Sequence, residues 1–91
     1  MFYTYVLKNK DDKLYIGYTK DLKQRFAEHN QGLNLSTKAS RPWKIIYYEC
    51  CLDINDAKRR EGYFKTSQGR RLLRRRLKEY FYKIRSKDLT N

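Results

Sequence analysis

The sequence predicts one α/β (α+β) domain over residues 1–91: a three-stranded, mainly antiparallel sheet flanked by helices, in the order β-β-α-β-α-α. Three observations lead there. The chain has 91 residues, enough for one modest core. It opens with two short runs rich in aromatic and β-branched residues, parted by a polar turn. Beyond them apolar residues recur at helical spacing, with a third strand-like run between.

Phe2 to Leu7 forms the first strand, Asn9 to Asp12 the turn, and Leu14 to Thr19 the second strand of a hairpin. Strand side chains alternate, so Tyr3, Tyr5 and Leu7 share one face, and Tyr15 and Gly17 share a face of the second strand. A register that sets Tyr5 opposite or diagonal to Tyr15 puts both phenols on the same side of the sheet, and Gly17 leaves room beside them. Thr19 or Asp21 caps a helix running to about Asn30, where Gly32 ends it. Leu22 and Phe26 mark its buried arc; His29, the only histidine, falls between them, and Arg25 lies one turn earlier. Residues 31–43 form a loop that closes with Arg41 and Pro42, and Trp43 to Cys51 is the third strand. Asp53 caps a helix from Ile54 to about Thr66, with Leu52 and Ala57 at hydrophobic-staple positions. Ser67 to Gly69 reads as a break. A last helix then carries Leu73, Leu77, Tyr80 and Ile84 on one face.

One residue disturbs this pattern. Ile54, Ala57, Glu61 and Phe64 form the inward stripe of an amphipathic helix, and Glu61 is a carboxylate in it. Such a group is costly to desolvate unless a cation or metal ion meets it. A structural ion pair with Arg25 is the plainer account. Together, His29 and Glu61 on two inward helix faces of a basic chain suggest a site that handles phosphate.

The formal charge of +12 comes from 22 Lys and Arg against 10 Asp and Glu, the footprint of a polyanion partner. Residues 68–91 hold nine Lys and Arg against two acids, a net of +7, and residues 1–67 hold thirteen against eight, a net of +5. Arg70, Arg71, Arg74 and Arg75 crowd the last helix. The leucine stripe anchors that helix to the core, so the arginines project as a ridge toward nucleic-acid backbone. Lys38, in the loop before the third strand, is a further candidate contact. Nine tyrosines supply a core and argue against a disordered basic tail. No apolar run approaches the roughly 20 residues of a membrane span. The chain begins directly as a strand, without a signal-peptide pattern. The adjacent Cys50 and Cys51 point to opposite faces, as expected of unbridged cysteines in a cytoplasmic protein.

Taken in order, Tyr3-Thr4-Tyr5, Tyr15-Ile16-Gly17, Arg25 with His29 four residues on, and Glu61 resemble the GIY-YIG nuclease superfamily. The similarity is closest to its small stand-alone single-domain branch, related to the N-terminal nuclease domain found in excision-repair proteins. The YIG element is literal; in the GIY element Tyr3 replaces Gly and Thr4 replaces Ile, while Tyr5 keeps the tyrosine. The stretches RPWKIIYYE (Arg41 to Glu49) and RREGYFKTSQGRR (Arg59 to Arg71) extend the resemblance over almost the whole chain. It implies divalent-metal-dependent cleavage of phosphodiester bonds in nucleic acid, DNA more than RNA. Glu61 would hold Mg²⁺ or Mn²⁺, and Arg25 would hold the scissile phosphate. Tyr5 would contact and deprotonate the attacking water, Tyr15 would support the site, and His29 would relay a proton or bind phosphate. These five residues are then expected along one concave surface. The alternative is a non-catalytic nucleic-acid-binding module on the same fold, favoured by the degenerate GIY element. A basic RNA-associated or ribosome-associated accessory protein is a third reading. Oligomeric state is left open.

Overall fold

Alternating apolar residues and a turn stabilised by Asn9 produce the opening hairpin. In the computed structural model, which describes residues 1–90 and their side chains through Lys87, β1 spans Phe2–Lys8 and β2 spans Leu14–Thr19. Asn91, the last residue of the expected domain, lies outside the described residues. The Asn9 carboxamide oxygen accepts from the Asp11 and Lys13 amides at 3.1 and 2.9 Å, which closes the turn. Two helices frame β3, Lys44–Cys51: α1, Leu22–Gln31, before it and α2, Ile54–Phe64, after it. The chain ends in α3, Ser67–Arg76, and α4, Lys78–Thr90. The expected order holds, and the last helical stretch is divided at Leu77.

The sheet is antiparallel throughout, with β1 in the centre: β2-β1-β3. Its two faces carry separate cores. Val6 and Ile16 pack with Phe64 of α2 and Leu73 of α3 on one face. Tyr5, Leu7 and Trp43 pack with Tyr15, Leu22, Phe26 and Ile45 on the other, under α1. The molecule is thus layered, with α1 on one side of the sheet and α2 and α3 on the other. Among the described residues no helix is long and apolar enough to cross a membrane.

Helix ends follow their capping chemistry. Asp21 accepts from the Gln24 amide at 3.0 Å, and Gly32 ends α1 in the left-handed region at φ 80°. Asp53 caps α2 through the Asn55 amide at 2.8 Å. Two local expectations change. Leu52 is 85% exposed, so it makes no staple with the buried Ala57. The break comes earlier than Ser67: Thr66 caps α3 by accepting from the Gly69 amide at 3.0 Å, and Gly69 lies inside the helix. Gly69 serves as a contact point rather than a helix breaker. A Cβ there would sit 1.9 Å from the Tyr63 carbonyl oxygen, so only glycine lets α3 pass this close to the end of α2.

Candidate active site

Tyr5 sits in the middle of the central strand, paired with Gly17 on β2 and Tyr48 on β3. Tyr15 pairs with Leu7, which places it diagonal to Tyr5 on the same face, with ring centroids 6.4 Å apart. Gly17 matters for a steric reason. A Cβ at that position would lie 2.5 Å from the Tyr5 hydroxyl and 2.7 Å from its Cζ. Without one, the Tyr5 ring lies across the edge strand and its hydroxyl meets α1.

His29 receives it. The imidazole is fully buried, with Nε2 2.8 Å from Tyr5 Oη and Nδ1 2.8 Å from Thr37 Oγ1. Its ring stands edge-on to Tyr15 at 4.9 Å between centroids. Thr37 enters from the loop after α1, which two contacts hold in place. Trp43 Nε1 donates to the Thr37 carbonyl at 2.9 Å, and the Asn30 side chain bonds both the amide and the carbonyl of Trp43 at 2.7 and 2.9 Å. Thr37 carried no signal in the sequence, because its partnership depends on how a long loop closes.

Burial raises the Tyr5 phenol above its ordinary range; Tyr15 adds to this, the Arg25 guanidinium opposes it, and Glu61 raises it again. Burial also lowers the His29 imidazole, as does Arg25, while Glu28 acts the other way. Both directions favour a neutral pair in which the phenol keeps its proton and Nε2 accepts the hydrogen bond.

Arg25 is half-exposed and forms an ion pair with Glu28 at 3.2 Å. With Gln24 and Glu28 it lines a groove that also takes in Tyr18 and Thr19 of β2 and Ile54 of α2. Glu61 belongs to α2, so it comes from the layer opposite Tyr5 and Tyr15. Its direct partner is Lys65 at 2.8 Å, one turn on, in place of the Arg25 pair considered from the sequence. The five residues do not share the one concave surface expected from periodicity: Tyr5 and His29 are fully buried on the α1 side of the sheet, and Glu61 is carried by the opposite layer. Four of the five residues gather under α1, and Glu61 acts on the Tyr5 phenol by its charge. Helical periodicity aims a side chain inward but does not say which face of the sheet its helix covers.

Residues 1–72 match the family described as the GIY-YIG catalytic domain. The chain belongs to the GIY-YIG family. Its relatives include a UPF0213 protein of Bacillus pumilus (strain SAFR-032), 45% identical over 70% of this chain and 66% of its own. The UPF0213 protein CPE1444 of Clostridium perfringens (strain 13 / Type A) is 39% identical, covering 71% of each chain. The UPF0213 protein SSP2268 of Staphylococcus saprophyticus is 37% identical over 79% of this chain and 89% of its own. No solved structure gives a significant match.

In this GIY-YIG domain the motif tyrosines, Tyr5 and Tyr15, are adjacent in space, and the YIG glycine is the residue that Tyr5 leans over. Among the described residues no cluster of three or more His, Cys, Asp or Glu side chains is arranged to hold a metal ion. Among those residues, too, Glu61 is the carboxylate whose charge acts on Tyr5. One carboxylate suits a hard ion such as Mg²⁺, which keeps several waters and is completed by substrate phosphate. Lys65 supplies the cation that Glu61 requires on its mostly buried stripe, and its exposed side chain can give way, so the residues fit such an ion.

The basic residues divide more sharply. Arg71 and Arg75 are exposed on α3. Arg70 Nε is used up on the Phe64 carbonyl at 3.0 Å, and the Arg74 guanidinium lies 5.7 Å from the Phe81 ring centre. Lys38 is exposed beside a separate hollow lined by Leu35, Arg41 and Pro42. The arginine ridge thus lies on the layer away from Tyr5.

Proposed function

We propose that this protein is a divalent-metal-dependent endonuclease that hydrolyses phosphodiester bonds in DNA. The observation that carries the reading is the buried Tyr5–His29–Thr37 chain, with Arg25 and Glu61 both acting on the phenol. Arg25 holds the scissile phosphate by charge-assisted hydrogen bonds. Tyr5 takes a proton from the attacking water as its own proton passes to His29 Nε2. A neutral imidazole can accept it, and Thr37 keeps the ring oriented. The net transfer is from water to His29, with the resulting hydroxide forming the new bond to phosphorus while the leaving oxygen departs. Mg²⁺ or Mn²⁺ on Glu61 would supply positive charge against the phosphate and leaving oxygens. We assign the reaction to the cytoplasm; two adjacent cysteines that are both unbridged are in keeping with a reducing compartment.

The Glu61–Lys65 pair favours a second reading, a non-catalytic nucleic-acid-binding module, because it already satisfies the carboxylate. Glu61→Gln separates the two. The nuclease reading expects metal-dependent cleavage to fall by roughly two orders of magnitude or more, the scale of losing a principal electrostatic group, while nucleic-acid affinity in EDTA is kept. Stability should stay close to the parent's, since glutamine keeps the shape of the mostly buried Glu61 side chain and the Lys65 it releases is half-exposed and can be solvated. A parent protein that binds DNA yet cleaves none with Mg²⁺ or Mn²⁺ would establish the binding module instead.

A further inference from the structure

Tyr3 stands where the GIY element carries glycine, and its surroundings suggest a use for the ring. Tyr3 lies two residues before Tyr5 on the same face of β1, about 7 Å along the strand. Its ring meets that of Tyr48 on β3, with centroids 6.0 Å apart and planes inclined by 59°. Tyr48 is 54% exposed, so its ring has an open side. The two tyrosines line an open groove of about 760 Å³ with Leu22, Phe26 and Ile45, and its polar lining is Lys20, Lys23, Gln24 and Asp21, whose carboxylate is engaged in capping α1. Both lysines are exposed, and neither forms an ion pair among the described residues.

An aromatic floor beside unpaired cations on a chain of charge +12 suits one kind of occupant. Unpaired nucleobases stack on aromatic faces while the backbone phosphates meet lysines. Paired bases inside a duplex show no face to such a floor. Tyr48 lies opposite Tyr5 in the β1–β3 register, so the platform lies on the same face of the sheet as the buried Tyr5 and directly beside it.

We infer that the Tyr3–Tyr48 groove is a base-stacking subsite that receives an unpaired nucleotide flanking the scissile phosphate. The substrate class is then single-stranded or branched nucleic acid, not uniform duplex. This rests on the nuclease reading for the identity of the neighbouring site, but the groove itself is tested by binding alone.

The experiment measures anisotropy of fluorescent single-stranded DNA, single-stranded RNA and duplex DNA of equal length, in EDTA, with the parent protein, Tyr48→Ala, Tyr48→Phe and Tyr3→Ala. Stacking on one aromatic ring corresponds to about 5- to 150-fold in affinity. Tyr48→Ala should weaken single-strand binding within that range and leave duplex binding nearly unchanged. Tyr48→Phe should bind like the parent, since the ring face is what the base uses. Equal loss on single strand and duplex, or no loss with either alanine variant, would overturn the subsite. The DNA and RNA arms tell which sugar the groove prefers. Thermal melting of each variant guards against misfolding. Tyr48→Phe keeps the test decisive if Tyr3→Ala is unstable, because single-strand binding lost with Phe would also overturn stacking. Parallel cleavage assays with Mg²⁺ report on the catalytic reading separately, so failure of one does not disguise failure of the other.

Discussion

Burial acts in opposite senses on the two partners of the Tyr5–His29 bond. It raises the phenol and lowers the imidazole, and both shifts hold the proton on Tyr5. For His29 the folded state binds a proton less readily than the unfolded chain. Its contribution to stability is therefore complete above the ordinary histidine value of about 6.5 and is lost as pH falls below it. Because the chain has one histidine, melting temperature should fall between about pH 7 and pH 5.5 in the parent. In His29→Gln the same pH interval should leave it nearly flat. A parent protein with no slope in that interval would contradict a neutral buried imidazole. Tyr5 gives the opposite wing: with its folded value raised, stability declines as pH climbs past about 10. On the proposed nuclease reading, the acid limb of the cleavage rate should accordingly lie below about 6.5, since an imidazole with a lowered value is still neutral at that pH and can accept a proton.

Among the elements, two glycines of the α2–α3 corner make contrasting predictions. Gly69 meets the Tyr63 carbonyl, where an added Cβ would overlap backbone that no side-chain motion can clear. Gly69→Ala should destabilise by about 1–3 kcal/mol or more despite alanine's better helix propensity. Gly62, in the last turn of α2, has nothing within 4 Å of its Cβ position. Gly62→Ala should instead stabilise by about 0.5–1 kcal/mol. Urea denaturation of the two variants checks both signs. The corner also explains why the expected break at Ser67 to Gly69 was displaced. A glycine near a helix start reads as a terminator, but this one is retained for closeness to a neighbouring helix, which leaves no mark on local sequence.

At the scale of the whole molecule, charge and chemistry occupy different sides of the sheet. The exposed Arg71 and Arg75 lie on the α2–α3 layer, and Tyr5 with His29 lies under α1. A nucleic acid that reaches both must pass around the edge strand β2. The ridge is therefore expected to act on association more than on the chemical step. Replacing Arg71 and Arg75 together with Ala should weaken duplex binding and reduce the slope of log K against log salt by up to about 1.8. Single-turnover cleavage at saturating nucleic acid should be little changed. An unaltered salt slope, measured between about 50 and 200 mM salt, would show the ridge to be a solvated face only.

Local sequence chemistry by itself determined the strands, the helix cap at Asp53, the αL glycine at Gly32 and the inward aim of Tyr5, Tyr15 and His29, and it narrowed the first helix cap to Thr19 or Asp21, of which the structure uses Asp21. These depend on period, capping and conformational freedom, all set within a few residues. The ordered tyrosines and Glu61 likewise brought the family into view before any fold was known. Tertiary structure decided the rest. It put Thr37 behind His29, because a loop had to close on Trp43. It laid Tyr5 across Gly17, because the hairpin register set those two opposite each other. It brought Glu61 from the far layer with Lys65 as its partner, because which face of a sheet a helix covers follows from the path of the connecting chain and not from the helix's own residues.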